Sequence, residues 1–213
     1  MNNKIMSKVF GWMFIGLMIS FATGYVVSLN PTMIENVFGG AWWILLIAEL
    51  GIVIFLSARI AKMSPTTAKV SFLLYSFVSG LTFSSIFIVY EMSSIIFVFL
   101  ITGLIFGIFA LIGYTTNIDL MKLRTYLFMG LLAIIICSIV NLFIGSSGFN
   151  TVLSLLTVVI FIGYTAYDVQ KVRRLYEENA LPEDNLAIYG ALELYLDFIN
   201  LFIHLLDLLG KDN

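Results

Sequence analysis

Four acidic residues stand inside apolar runs long enough to cross a membrane: Glu49, Asp168, Glu193 and Asp197. An ionisable group in such a run costs at least about 2.5 kcal/mol unless it faces protein or water, so each marks a candidate functional site. The last run carries most of the polar chemistry. Its Glu193, Asp197, Asn200, His204 and Asp207 are spaced four, three, four and three residues apart, a repeat that stacks them on one helix face. The stripe rises about 21 Å from Glu193 to Asp207 at helical pitch. Oxygen ligands suit a hard cation such as calcium, so the stripe is a candidate ion path through Glu193, Asn200 and His204, with Glu49 as a further lining acid. Asp207 lies near the end of the run and is expected at the membrane interface.

Asp168 closes the segment Gly163-Tyr-Thr-Ala-Tyr-Asp168, and a short loop would bring it toward Asp197 on the next run. Two carboxyls close together in a low dielectric do not both ionise cheaply, so they share a proton. Such a pair acts as a proton-controlled latch or, alternatively, as a permanently protonated packing contact; the residues alone leave both open. Arg59 is a partner for an ionised Asp168 or an ordinary interfacial anchor. Glu49 lies about 15 Å from it on the same helix. Glu49 pairs with His204, lines a cation path, or is a protonated acid bonded to a carbonyl. A carboxylate pair can also activate water, as in an intramembrane aspartyl protease. Tyr195-Leu-Asp197 lacks the Gly-x-Gly-Asp setting of those enzymes, however, and no Pro-Ala-Leu segment follows. The single His204 and single Cys137 build neither a multi-histidine metal centre nor a disulfide.

The elements that must position these residues follow from composition. Of 213 residues 61% are apolar and only 11% charged, whereas soluble domains carry about 25% charged residues. Too little charge remains to cover a soluble surface, and a net charge of −2 offers no basic field for nucleic acid. Apolar runs at roughly 9–29, 41–61, 68–90, 94–114, 125–144, 151–173 and 186–209 predict seven transmembrane helices in a single domain over 1–213. The fold class is therefore an all-α membrane protein. Pro31, Pro65 and Pro182 fall in the breaks, as does Gly145-Ser-Ser-Gly148. The first run exceeds a signal-peptide core and ends without a small-residue cleavage site, so it is expected to be a retained span. Ten of the eleven basic residues fall on one side of this arrangement and only Lys211 on the other. The positive-inside rule then places the N-terminus in the cytoplasm and the C-terminus outside. Trp42-Trp43 suit an interfacial belt at the start of the second span. Gly103 and Gly107 form a G-x-x-x-G expected to pack closely against another helix. Ser79, Gly80, Thr82, Ser84 and Ser85 make the third span unusually small and polar, for packing or for a wet cavity.

The string Leu194-Tyr-Leu-Asp-Phe-Ile-Asn-Leu-Phe202, with Tyr167-Asp168 in the preceding span, resembles the transmembrane Bax inhibitor-1 motif family. Phe77-Val-Ser-Gly-Leu81, Glu49 and Arg59 support the likeness, which covers essentially the whole chain. The resemblance implies a seven-helix fold whose last helix sits inside a bundle of six, and a pH-sensitive calcium leak. It implies that Asp168 and Asp197 form the proton-sharing gate and meet the metal ion, that Arg59 is a latch, and that Glu49 matches the family glutamate. Calcium is then cargo rather than cofactor, and the partners are the bilayer, calcium and protons, with the protein a monomer and not an enzyme. A proton-coupled cation exchanger and a non-transporting membrane regulator are the alternatives. The sequence departs from the family where Leu-Thr-Phe-Ser follows Gly80, in lacking a basic C-terminal tail, and in adding Glu193 and His204 as titratable groups. The short termini suggest a bacterial plasma membrane.

Overall fold

A computed structural model describes residues 4–39 and 42–212. Among these, seven helices are long and apolar enough to span a bilayer: α1 (Lys4–Ser28), α3 (Trp42–Arg59), α4 (Pro65–Val89), α5 (Met92–Thr115), α6 (Arg124–Ile144), α7 (Ser147–Glu177) and α8 (Glu183–Leu209). An eighth, α2 (Pro31–Phe38), is a short amphipathic helix where the sequence predicts only a break. Its signal is Asn30-Pro31. The Asn30 carboxamide accepts from the amides of Thr32 and Met33 at 3.0 and 3.3 Å, and proline at the first helical position sacrifices no intrahelical bond. Ser64 and Pro65 open α4 in the same way, Ser64 Oγ accepting from the Thr67 amide. Gly145 closes α6 with φ of 67°, a left-handed cap that suits glycine. No strand forms among the described residues; Tyr90 and Asp212 make one isolated bridge.

The helices fall into two compact units. The first contains α1 to α4 and the start of α8, through Tyr195. Here α1 lies along α4, and α3 packs on α4. The crossing of α1 and α4 is tight: a Cβ on Gly80 would meet Thr23 Cβ at 2.6 Å and the Ser20 carbonyl at 2.8 Å. Asn185, fully buried on α8, donates to the carbonyls of Ile60 and Met63 at 2.8 and 2.9 Å, satisfying orphan acceptors beyond the end of α3. Lys8 meets Glu183 at 2.7 Å and Lys69 meets Asp184 at 2.9 Å, tying α1 and α4 to the first turn of α8.

The second unit contains α5, α6, α7 through Arg174, and α8 from Leu196 onward. Phe198 of α8 lies edge-on between Phe99 and Phe106 of α5, at 5.2 and 5.6 Å. A Cβ on Gly113 would come within van der Waals contact of the Ala166 backbone, so α5 and α7 nearly touch there. Gly103 and Gly107 do not pack as their spacing predicts: neither has an atom of a neighbouring element within 4 Å of an ideal Cβ. Both lie on an exposed face of α5 beside Leu100, Leu104 and Leu111. In α6 only Leu127 is buried. Its Phe143 is 88% exposed, the surface expected of a helix against lipid rather than water.

The last helix is the most buried of the seven spans. Its apolar side achieves this: Leu192, Leu194, Leu201, Phe202 and Leu206 are fully buried, whereas Glu193, Asn200 and His204 are half-buried and Asp207 is exposed. Of the five stripe residues, Asp197 alone is fully buried.

Candidate functional site

The polar residues singled out by sequence are divided between the two units. In the first unit, Glu49 is half-buried on α3 and accepts from Ser79 Oγ at 2.5 Å and from Thr82 Oγ1 at 3.0 Å, both on α4. The small polar face of α4 thus receives the acid of α3. Tyr195 is fully buried, and its ring meets Phe72 and Tyr75 edge-on at 5.9 and 5.8 Å. Its hydroxyl lies 2.7 Å from Ser20 Oγ, which donates to the Ser76 carbonyl at 2.7 Å. Because Ser20 has one hydrogen and gives it to that carbonyl, Tyr195 is the donor to Ser20. Glu49 thus links α3 to α4, and the Tyr195 hydroxyl links α8 to Ser20 of α1 and through it to α4.

Tyr195, Tyr75 and Ser20 were not among the sequence candidates. An aromatic residue within a Leu/Phe-rich helix is indistinguishable in sequence from core filler, and only the partner of its hydroxyl reveals the difference. Glu193, one turn from Tyr189 and half-buried, also belongs to this unit. Arg59 is the last residue of α3 and is exposed.

The second unit holds the two most deeply buried acids. Asp168 on α7 is 2% exposed and Asp197 on α8 is 3% exposed. Burying a carboxylate is costly unless its charge is removed or compensated. Lys171, one turn beyond Asp168, places Nζ 3.4 Å from Asp168 Oδ1 and lies over the Tyr167 ring at 5.7 Å. Sequence alone assigns Lys171 only to the basic side of the membrane; its three-residue offset from Asp168 is the signal for this contact. The next two polar residues of α7 fix the neighbouring connection. Gln170 donates to the Ile118 carbonyl at 2.8 Å and accepts from the Leu120 amide at 2.7 Å. Arg173 donates to the Tyr114 carbonyl at 2.5 Å, at the end of α5.

Farther along α8 the stripe residues find local partners. Asn200 donates to the Leu196 carbonyl of its own helix at 2.7 Å. Ser154 on α7 donates to Asp207 Oδ2 at 2.6 Å and lies 3.1 Å from His204 Nδ1. Ser154 gives its one hydrogen to Asp207, so His204 carries a proton on Nδ1 and donates to Ser154. Asn150 also donates to Asp207, at 3.0 Å, and Asp207 is exposed. Among the described residues no three acids, histidines or cysteines converge to hold a metal ion.

A family model described as "Inhibitor of apoptosis-promoting Bax1" matches residues 2–213. The chain is 44% identical to an uncharacterized protein of Borreliella burgdorferi, across 99% of this chain and 93% of the relative. It is 40% identical to the inner membrane protein YbhL of Escherichia coli K12, across 97% and 91% respectively. An uncharacterized membrane protein of Streptococcus pyogenes serotype M1 is 33% identical, across 99% of this chain and 94% of its own length.

Proposed function

Because the chain belongs to the Bax inhibitor-1 family of multi-pass membrane proteins, we propose that it is a passive, pH-sensitive calcium leak gated by Asp168 and Asp197. The observation that carries this reading is the burial of both carboxyls in one unit, on consecutive helices. Two acids so deprived of water hold a shared proton more cheaply than two charges. In the protonated state the pair holds α7 and α8 together. Loss of the proton leaves like charges in a poor dielectric, and the closed packing is destabilised. Lys171 is placed to stabilise the ionised Asp168, and Arg59 is assigned the latch that the family resemblance implies.

Calcium is the cargo. Glu49, Glu193, Asn200 and His204 supply oxygen and nitrogen stations that interact weakly with a cation in transit, as conduction demands. The N-terminus is assigned to the cytoplasm and the C-terminus to the outside of a bacterial plasma membrane, from the distribution of basic residues. The protein acts as a monomer and performs no covalent chemistry.

Calcium uptake by liposomes carrying the purified protein tests the reading. A leak moves calcium down its gradient without a fixed proton count, whereas an exchanger moves both ions in constant ratio. A constant ratio would replace the leak with exchange, and cleavage of a transmembrane peptide lost on Asp168→Asn would replace it with proteolysis.

A further inference from the structure

Where α7 begins and α8 ends, four donor side chains of different chemistry meet within the second unit. Asn150 lies in the first turn of α7 and Asp207 in the last turn of α8; Ser154 and His204 lie one turn deeper on the same helices. Ser154 is 2% exposed, His204 is half-buried, and Asn150 and Asp207 are exposed. The group therefore has a fixed polar floor and an open mouth at the helix ends.

The carboxylate here has no cation to answer it. Its hydrogen-bond donors, Asn150 and Ser154, are both neutral. Among the described residues no lysine or arginine forms an ion pair with it. Helix α8 carries no lysine or arginine, and α7 has none before Lys171.

The donor set chooses the kind of cation. An imidazole nitrogen beside a carboxylate suits zinc and its neighbours in the first transition row, whereas calcium seeks about six to eight oxygens. Ligands that share such an ion at about 2.1 Å stand about 3.0–3.4 Å from one another. Ser154 Oγ already lies 3.1 Å from His204 Nδ1 and 2.6 Å from Asp207 Oδ2, so small side-chain rotations open the required spacing. Asn150 presents Nδ2 to Asp207 at 3.0 Å, and a half-turn of its carboxamide presents Oδ1 instead.

We propose that His204, Asp207 and Ser154, with Asn150 as a further oxygen donor, bind a divalent transition-metal ion of the zinc class that bridges α7 and α8. Binding transfers the imidazole hydrogen from Nδ1 to Nε2 through water and turns the Ser154 hydrogen away from Asp207, so no net proton is released. The ion supplies the positive charge that Asp207 lacks, and water completes its coordination. The site lies about 21 Å along α7 from Asp168 and does not rest on the calcium reading.

His204 is the single histidine of the sequence, so protein without a polyhistidine tag reports on this site alone. The full-length protein in detergent, carrying isotope-labelled histidine, is titrated with zinc chloride and followed by calorimetry and by nuclear magnetic resonance of the ring nitrogens. One zinc ion per chain is expected, with the Nδ1 resonance taking the shift and the hydrogen found on Nε2. His204→Gln and Asp207→Asn are each expected to weaken binding at least about tenfold. Zinc is expected to raise the unfolding temperature of the wild type and not that of His204→Gln, and an excess of calcium is expected to leave zinc in place. Helical content and elution volume check that the variants are folded, and the ring-nitrogen shift of the wild type decides the matter without them. Zinc held at Nε2, or binding unchanged by Asp207→Asn, would mark an adventitious surface contact and overturn the bridge. No binding, or ready displacement by calcium, would overturn the metal assignment. Calcium flux plays no part in these readouts, so failure here and failure of the leak are distinguishable.

Discussion

Gly113→Ala adds one methyl group where α5 meets the backbone of α7. An ideal Cβ there collides with the Ala166 carbonyl oxygen, and the Ala166 Cα and carbonyl carbon lie 2.7 and 2.8 Å away. These are backbone atoms of a continuous helix and cannot rotate aside, so the helices must separate. Overpacking of this kind costs about 1–3 kcal/mol. Glycine to alanine also gains up to about 1 kcal/mol of helix propensity; with a clash against backbone atoms taken at about 2–3 kcal/mol, the upper part of the overpacking range, a net loss of about 1–2 kcal/mol remains. Gly103→Ala on the same helix makes the opposite case: nothing lies within 4 Å of its Cβ, so only the propensity gain remains. Thermal unfolding in detergent measures both variants against the wild type. For a chain of this size about 3 °C accompanies each kcal/mol, so Gly113→Ala falls by about 3–6 °C while Gly103→Ala is unchanged or rises. Because Ala166 lies two residues before Asp168, the helix shift also displaces the proposed gate. Equal stability of the two alanine variants would refute the close approach of α5 and α7.

Two further substitutions test the polar contacts of the first unit. Tyr195→Phe keeps the ring among Phe72 and Tyr75 but removes the hydroxyl donor to Ser20; a loss of about 1 kcal/mol is expected in reversible unfolding, and no loss would place that hydroxyl outside the network. Asn185→Ala leaves the Ile60 and Met63 carbonyls without their side-chain donor, for an expected loss of about 1–3 kcal/mol, read in the same assay; a loss no larger than that of Lys122→Ala, at an exposed position, would contradict it.

Long apolar runs made the seven spans legible, because no proline falls within them and the charges they contain are few. The breaks were less legible. Pro31 and Pro65 open helices, and α2 escaped notice because eight residues give too short a window for apolar periodicity to stand out from a loop. The stripe on α8 was correctly placed on one helix face, but its environment was not: spacing fixes direction around the helix axis, whereas burial depends on which neighbours arrive. Asp197 is enclosed and Asp207 is exposed, although both share the stripe. The two glycine readings show the same limit. Gly103 and Gly107 have the motif spacing and open surroundings, while Gly113 lies outside the motif and is the close-packed one. Such a distinction depends on α7, more than fifty residues away in the chain. The hydroxyls of Ser79 and Thr82 around Glu49 were visible only as a small polar face, since a serine in a helix bonds as readily to its own backbone as to an acid.

The measurement that bears most directly on the proposed gate is calcium flux into proteoliposomes across a pH series, with the wild type, Asp168→Asn and Asp197→Asn compared at equal protein content. An amide in place of either carboxyl removes the shared proton. Neither variant can carry two like charges at the pair, so each is expected to keep a low flux with a flattened pH profile, while wild-type flux rises as the pair loses its proton. No wild-type flux, or the same pH profile in all three proteins, would contradict the account.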